Sequence, residues 1–392
     1  MNHLNPPNFD RIRQDFPRAE RKLWFAAAET HLYNVYTLKT IEAYTTYRTR
    51  GPLDRHLSFT EEKQHEAKTL FANLINASAD EIAFVQSTTD GENIVLAGLD
   101  LAKRGGNVVI DDLHFEASKY IYTALAESGA IELRVVPHRN WQTHLSDFEA
   151  AIDDETRLVS VAYVSQVNGH VADAKAISEI AHAHGAYFYC DIIQGAGNTP
   201  IDVQAMGIDF CACATYKWLM GEFGIGFLYV DKALQGSVVP STRYGLRQVD
   251  TMRDYQFNIY GNANRYEGTS SMSFLAGSCA LTGLKYVSRL GVDNIQAHAT
   301  RLTNRLQREL PRLGYRPITP PNTPSPIVSY LPDDIETTRN KLDKAFGEQV
   351  LSFRDWFETD SDGNRQKVRG IRIGVSVYNN DEDVDQLLNA LS

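Results

Sequence analysis

The sequence is short of cysteine. It has four, Cys190, Cys211, Cys213 and Cys279, with no Cys-x-x-Cys pair among them. That spacing argues against zinc and dithiol frameworks, so no metal site is expected and the thiols are read as reduced and buried. Reduced thiols suit a cytoplasmic protein. Long apolar runs are also missing, so no membrane span is expected. The start, Met-Asn-His-Leu-Asn-Pro-Pro, lacks the cationic segment and apolar core of a signal peptide. Blocks of like charge are absent and the formal net charge is −10, which argues against a nucleic-acid or membrane-surface partner. No internal repeat or low-complexity tract stands out.

What is present is ordinary globular composition, 43% hydrophobic and 22% charged, over 392 residues. That length suits more than one domain-sized unit. Strand-like segments at Glu81–Gln86, Asn107–Asp111, Leu133–Val136, Leu158–Val164, Ala186–Cys190, Phe210–Ala214 and Gly226–Val230 alternate with helix-like ones. The helical periodicity falls at Asp90–Ala102, Ala117–Ser128, Leu145–Ile152 and Asp173–His184. Apolar strands alternating with amphipathic helices predict an α/β fold with a mainly parallel sheet covered on both faces. The character changes after Phe274. Helices are predicted over Phe274–Leu290 and Val292–Leu310, then a stretch with five prolines between Pro317 and Pro326, then strands at Ile327–Leu331, Val350–Phe353 and Gly370–Ser376 and a closing helix at Glu382–Leu391. The expected organisation is a segment 1–20 that is an N-terminal arm or part of the small domain, a large domain (21–270) and a small α+β domain (271–392).

Ligands of such sheets bind beyond the carboxyl ends of the strands, so the residues just after each strand are the ones to inspect. Lys217 follows the strand ending at Ala214, in Ala-Thr-Tyr-Lys-Trp-Leu-Met-Gly. Asp191 ends the strand Tyr-Phe-Tyr-Cys. A carboxylate capping a buried strand needs a cationic partner, and a pyridinium nitrogen is one; held protonated, it lets the ring accept electrons. Gln194, three residues on, is a candidate hydrogen-bond partner for such a ring's phenolic oxygen. Ser87-Thr88-Thr89-Asp90-Gly91 follows the first strand and opens a helix, which makes either a plain helix cap or an anion site. Phe115, with His114 as the competing choice, is placed to stack on a flat ring. Arg354 and Arg372 offer guanidinium forks for a carboxylate, or form structural ion pairs.

These residues resemble the fold-type I pyridoxal-phosphate (PLP) enzymes of the class V aminotransferase group, which includes cysteine desulfurases, kynureninase and isopenicillin N epimerase-like proteins. The resemblance rests on Val-Ser-Gln-Val-Asn-Gly (164–169), Asp-Ile-Ile-Gln (191–194), Tyr-Lys-Trp-Leu (216–219), Gly-Glu-Phe-Gly-Ile-Gly (221–226), Arg-Tyr-Glu-Gly-Thr (265–269) and Ile-Arg-Ile (371–373). It implies the PLP-dependent transferase fold, with Lys217 as internal aldimine and catalytic base and Asp191 at the pyridine nitrogen. It further implies Gln194 near the phenolic oxygen, Thr88 and Thr89 at the phosphate, and a homodimer in which Thr269 reaches the phosphate of the neighbouring subunit. Tyr216 stands where the family often has histidine. Ala214 replaces a usual serine, with Thr215 the candidate substitute for that phosphate contact. Gln166 aligns with the family's asparagine near the phenolic oxygen, and Phe115 with its ring-stacking residue. His31, in the early Ala-Glu-Thr-His segment, is a candidate substrate contact alongside Arg372 and Arg354.

A substrate amine that displaces Lys217 frees it as a general base, and elimination, transamination and epimerisation all branch from the resulting carbanion. Desulfurases of this family use a nucleophilic cysteine in the small domain; here none follows Cys279. The expected activity is a lyase that cleaves a Cβ–S or Cβ–C bond of an α-amino acid or its conjugate, with an aminotransferase or an isopenicillin N epimerase-like enzyme as alternatives. A nicotinamide-dependent dehydrogenase would show Gly-x-Gly-x-x-Gly after its first strand, where this chain has Gln-Ser-Thr-Thr-Asp-Gly.

Overall fold

The computed structural model describes residues 7–51, 59–359 and 364–392; residues 1–6 of the expected arm lie outside them. Helices α1 (Phe9–Arg13), α2 (Val35–Arg50) and α3 (Glu61–Leu74) precede strand β1 (Ile82–Val85). The alternating region then runs α4 (Thr88–Leu99), α5 (Leu101–Arg104), β2 (Asn107–Asp111), α6 (Glu116–Glu127), β3 (Glu132–Val136), α7 (Leu145–Ala151), β4 (Thr156–Ala162), α8 (Ala174–Ala183), β5 (Tyr187–Asp191), β6 (Phe210–Ala214) and β7 (Gly226–Val230).

These strands form one seven-stranded sheet in the order β1-β7-β6-β5-β4-β2-β3. From β3 through β6 every neighbouring pair is parallel. Strand β7 runs antiparallel to both β6 and β1, because the 215–225 connection contains no crossover helix and parallel pairing needs one. Strands β5 to β7 are buried almost throughout, as continuous apolar runs covered on both faces require. Helix α4 approaches β6 closely. A Cβ on Gly91 would stand 2.8 Å from the Ala212 Cβ, so glycine is what lets the start of this helix lie against the sheet.

The exposed hairpin β8 (Val249–Arg253) and β9 (Gln256–Ile259) follows, then α9 (Phe274–Leu290) and α10 (Val292–Glu309). A second sheet, order β10-β11-β13-β12, is built from β10 (Arg316–Pro317), β11 (Ile327–Leu331), β12 (Ser352–Thr359) and β13 (Arg365–Gly374), with α11 (Ile335–Phe346) and α12 (Asp381–Leu391) packed beside it. Strand β12 extends past the expected Phe353 and β13 begins before the expected Gly370. Their added halves mix a few apolar residues (Trp356, Phe357, Val368) with charged ones and are joined by cross-strand ion pairs of Asp355 with Lys367 (2.7 Å) and Arg369 (3.1 Å), which leaves no apolar run to read.

The early segment belongs with this second sheet. The amide of Phe25 donates to the Val350 carbonyl and the amide of Gly374 to the Phe25 carbonyl, each at 2.6 Å. Helix α9 instead buries Ala276, Ala280 and Leu284 in the core under the large sheet. We therefore place the division between the two units at Gly291, after α9. No helix among the described residues is long and apolar enough to cross a membrane.

Candidate active site

The chain between β6 and β7 folds back on itself. The Met220 amide donates to the Lys217 carbonyl (2.9 Å) and the Gly221 amide to the Thr215 carbonyl (2.8 Å). Behind this loop, the Gly283 position of α9 packs on the Leu219 carbonyl so closely that a Cβ would clash. The loop is thus clamped between sheet and helix, and Lys217 is presented at the strand ends.

Lys217 reaches into a cavity lined by Ser87, Thr88, Thr89, Phe115, Gln166, Asp191, Gln194 and Tyr216, with apolar walls from Ala162, Val164, Ile193 and Ala214. Its Nζ stands 5.9 Å from the centre of the Phe115 ring and 5.7 Å from that of Tyr216. Burial lowers the Lys217 pKa to about 8; the Arg372 cation adds to that, and Asp191 opposes it. Asp191 is also buried. Its pKa is raised to about 6 by burial, opposed by the Ile193 amide, which donates to Oδ1 (2.9 Å), and by Lys217. An amine whose pKa is drawn down toward neutrality and a carboxylate whose pKa is drawn up toward it therefore share one enclosure.

One end of the cavity is the start of α4. Ser87 caps the helix by accepting from the Asp90 amide (3.0 Å), and the amides of Thr88 and Thr89 precede the first intrahelical bond. The Thr88 hydroxyl oxygen accepts from the Ala214 amide (3.0 Å), which leaves its proton to donate. Amides, a hydroxyl and a helix dipole converge there, as an anion requires.

Other expected residues are placed differently. Thr215 is fully buried outside the cavity and its hydroxyl donates to the Glu222 carbonyl (2.8 Å). It therefore does not replace the serine lost at Ala214, because the return of Gly221 turns it inward. The Gln194 amide donates to the Ala28 carbonyl (3.0 Å) and accepts from the Trp218 indole (2.7 Å), so it fixes two neighbouring segments as well as facing the cavity. His114 is buried beneath the site. Its Nδ1 accepts from the Phe115 amide (2.8 Å), so Nε2 carries the proton toward the Ser160 hydroxyl (3.0 Å). Of the two stacking candidates, Phe115 is the one that lines the cavity.

His31 does not reach the cavity. Nδ1 donates to the Leu32 carbonyl (3.0 Å), which leaves Nε2 to accept from Ser376 (2.7 Å). Burial lowers its pKa to about 4, so the ring is neutral. It lines an adjoining apolar groove with Leu32, Tyr33 and Phe223 that meets the cavity at Tyr216. Thr269 lies in a separate cleft with Phe84, Arg243 and Gly268, on the outer side of the α4 start.

Arg372 is 1% exposed, inside β13. Its Nη1 donates to both the backbone carbonyl and the side-chain oxygen of Gln166 (2.8 Å each), and Gln166 in turn donates to Glu116 (2.9 Å). Its Nε is buried with no hydrogen-bond partner among the described residues. Its Nη2 is 3.7 Å from Glu29, outside hydrogen-bond range. The Nε–Nη2 edge, the fork that takes a carboxylate side-on, is left without a bonded group. Arg354 is exposed and donates to Glu29 (2.6 Å).

Sequence reasoning missed Glu92. This α4 carboxylate is 2% exposed and accepts from Ser118 (2.7 Å) and Ser160 (3.4 Å); burial raises its pKa to about 7, with Asp191 adding to the rise. Nothing in Gly-Glu-Asn-Ile-Val distinguishes it from a solvated helix residue.

The sequence profile of the Aminotransferase class-V family matches residues 23–387. A probable cysteine desulfurase of Methanothermobacter thermautotrophicus is 32% identical over 303 residues, covering 75% of this chain and 74% of that protein. An uncharacterized aminotransferase of Bacillus subtilis, YcbU, is 33% identical over 240 residues, 60% of this chain and 62% of that one. Among solved structures, the apo cysteine desulfurase of Thermococcus onnurineus superposes with a TM-score of 0.83 at 21% identity, covering 99% of this chain and 98% of that one. The cystine C–S lyase C-DES, in complex with its reaction product cysteine persulfide, gives 0.83 at 20% identity over 96% and 98%. The fold is therefore that of these enzymes, and the chain belongs to the class V aminotransferase family of PLP-dependent enzymes.

Proposed function

We propose that this chain is a PLP-dependent lyase that holds an α-amino acid by its carboxylate on Arg372 and breaks its Cβ–S bond, releasing the sulfur rather than keeping it on the protein. The observation that carries the second half is the placement of the cysteines. All four are buried, in β5, β6 and α9, and none lines the cavity. Burial pushes the thiols up, Cys279 to about 12, so no thiolate stands where sulfur would be handed over.

The donor set suits the cofactor. The phosphate is assigned to the α4 start with Thr88 and Thr89, the ring nitrogen to Asp191, and one ring face to Phe115. Gln166, Gln194 and Tyr216 line the remaining sides. Lys217 is the covalent tether. When bound, the cofactor supplies an electron sink that makes the substrate Cα–H acidic. Lys217, with a pKa of about 8, is matched to take that proton and return one to the departing sulfur near neutral pH. Arg372 fixes the carboxylate and with it the rotation about the Cα bonds, which selects the bond that breaks. Thr269 is assigned to the partner's site in a homodimer.

The test offers S-methylcysteine and cystine without any keto acid. The expected result is pyruvate and ammonia in equal amounts, with methanethiol from the first and cysteine persulfide from the second. A strict keto-acid requirement would mean transamination. Loss of optical activity without pyruvate would mean epimerisation. Alanine as the product would mean the sulfur or carbon substituent is removed without elimination. Each of these three results overturns the lyase reading.

A further inference from the structure

The segment before His31 is tied to two cavity-lining residues, Gln194 and Tyr216, and to β13. Ala26 pairs with Gly374 of β13 as a bridge. The Ala28 carbonyl accepts from Gln194 (3.0 Å), and the His31 amide donates to the Tyr216 carbonyl (3.1 Å). A Cβ on Gly374 would stand 2.8 Å from the Ala28 nitrogen, so the segment lies flat on the strand that carries Arg372. Glu29 is fixed between these anchors. Its Oε1 accepts from Arg354 (2.6 Å) and stands 3.7 Å from Arg372.

We infer that Glu29 is a specificity-determining residue that closes the site to amino acids with a second, distal carboxylate. The inference rests on the reading that Arg372 takes the α-carboxylate. The charges decide the rest. Two guanidinium groups, Arg372 and Arg354, stand beside Glu29, and Glu29 cancels one of them. Glu116, held by Gln166, adds a further negative charge on the other side of Arg372. One carboxylate finds the open edge of Arg372; a second finds Arg354 already paired and Glu29 repelling it. Specificity of this kind works by penalising the wrong ligand. Glu29 and Arg354 are partly exposed, at 32% and 42% of their side-chain surface, so solvent screens the effect to about tenfold rather than thousands.

The experiment compares S-methylcysteine with S-carboxymethylcysteine, which differ by the distal carboxylate. Wild type is expected to favour the methyl compound in kcat/KM. Glu29→Gln should move that ratio about tenfold toward the carboxymethyl compound, through KM. Adding Arg354→Gln to Glu29→Gln should remove the gain, because Arg354 is the cation set free. Calorimetry with butyrate and glutarate reads the same preference without turnover: only the Glu29→Gln protein should gain affinity for glutarate. A ratio that stays put, or affinities for both acids that shift together, overturns the role of Glu29. Arg372→Gln separates the two readings. If it leaves KM for both amino acids unchanged, the carboxylate assignment fails, whatever Glu29 does.

Discussion

The two sheets handle charge in opposite ways. In the seven-stranded sheet the charged groups of the site stand at or just past strand ends, Asp191 at the end of β5 and Lys217 beyond β6. They open into a cavity where a ligand can meet them. In the four-stranded sheet the charge is inside a strand: Arg372 lies between Ile371 and Ile373 of β13, fully enclosed. A guanidinium buried that way is costly unless it is bonded, and its bonds come from Gln166 of the other unit. A parallel sheet offers a site at its rim by topology alone, whereas an antiparallel one contributes to it only by docking.

Three replacements test that contrast. The largest effect is expected at the rim. Lys217→Ala should lower turnover by at least about a thousandfold, and borohydride should fix the cofactor on Lys217 of the wild type and on no other lysine, read by peptide mass. Retained turnover in Lys217→Ala would remove the rim from the chemistry. The next effect belongs to the buried strand. Arg372→Gln should raise KM by about a hundredfold, since one partner of a buried charge-assisted bond is lost, with a smaller change in kcat. An effect confined to kcat would mean that Arg372 does not hold substrate.

The smallest effect concerns Glu92, an α4 carboxyl buried against the large sheet. Its folded pKa of about 7 lies above its usual 4.5. A raised carboxyl contributes stability fully below the unfolded value and loses it as pH climbs through the folded one. Glu92→Gln should therefore stabilise the apo-protein relative to wild type by roughly 1–3 kcal/mol at pH 8 and by far less at pH 5. Melting temperatures at the two pH values check this; a gap independent of pH would show that Glu92 is not neutral in the fold.

Much of the large sheet was legible because it obeys one rule per element. Asn107–Asp111, Phe210–Ala214 and Gly226–Val230 are apolar runs and form strands over those same residues. The ends of the strands at Ala186–Cys190 and Phe210–Ala214 then point to Asp191 and Lys217. The rest depended on contacts that local pattern does not carry. Thr215 turns away because Gly221 folds back on it, and His31 is used up by Ser376, which lies 345 residues later. The hairpin β8–β9 has exposed, mixed residues with no periodicity to read. Helix α11 begins at the Asp334 cap just past a strand, and its polar composition hid it.

The anchoring of Arg372 has a practical consequence. Part of its hold on the large unit is a backbone carbonyl, that of Gln166, which any residue at that position would supply. Small units from related chains could thus be exchanged onto this large unit without losing the joint. Glu29 packs with the small unit's strand β13, so exchanging that unit together with the early segment would carry the substrate's charge preference along. Such chimaeras would separate, in a single molecule, what the enzyme does to a carbon–hydrogen bond from which amino acid it accepts.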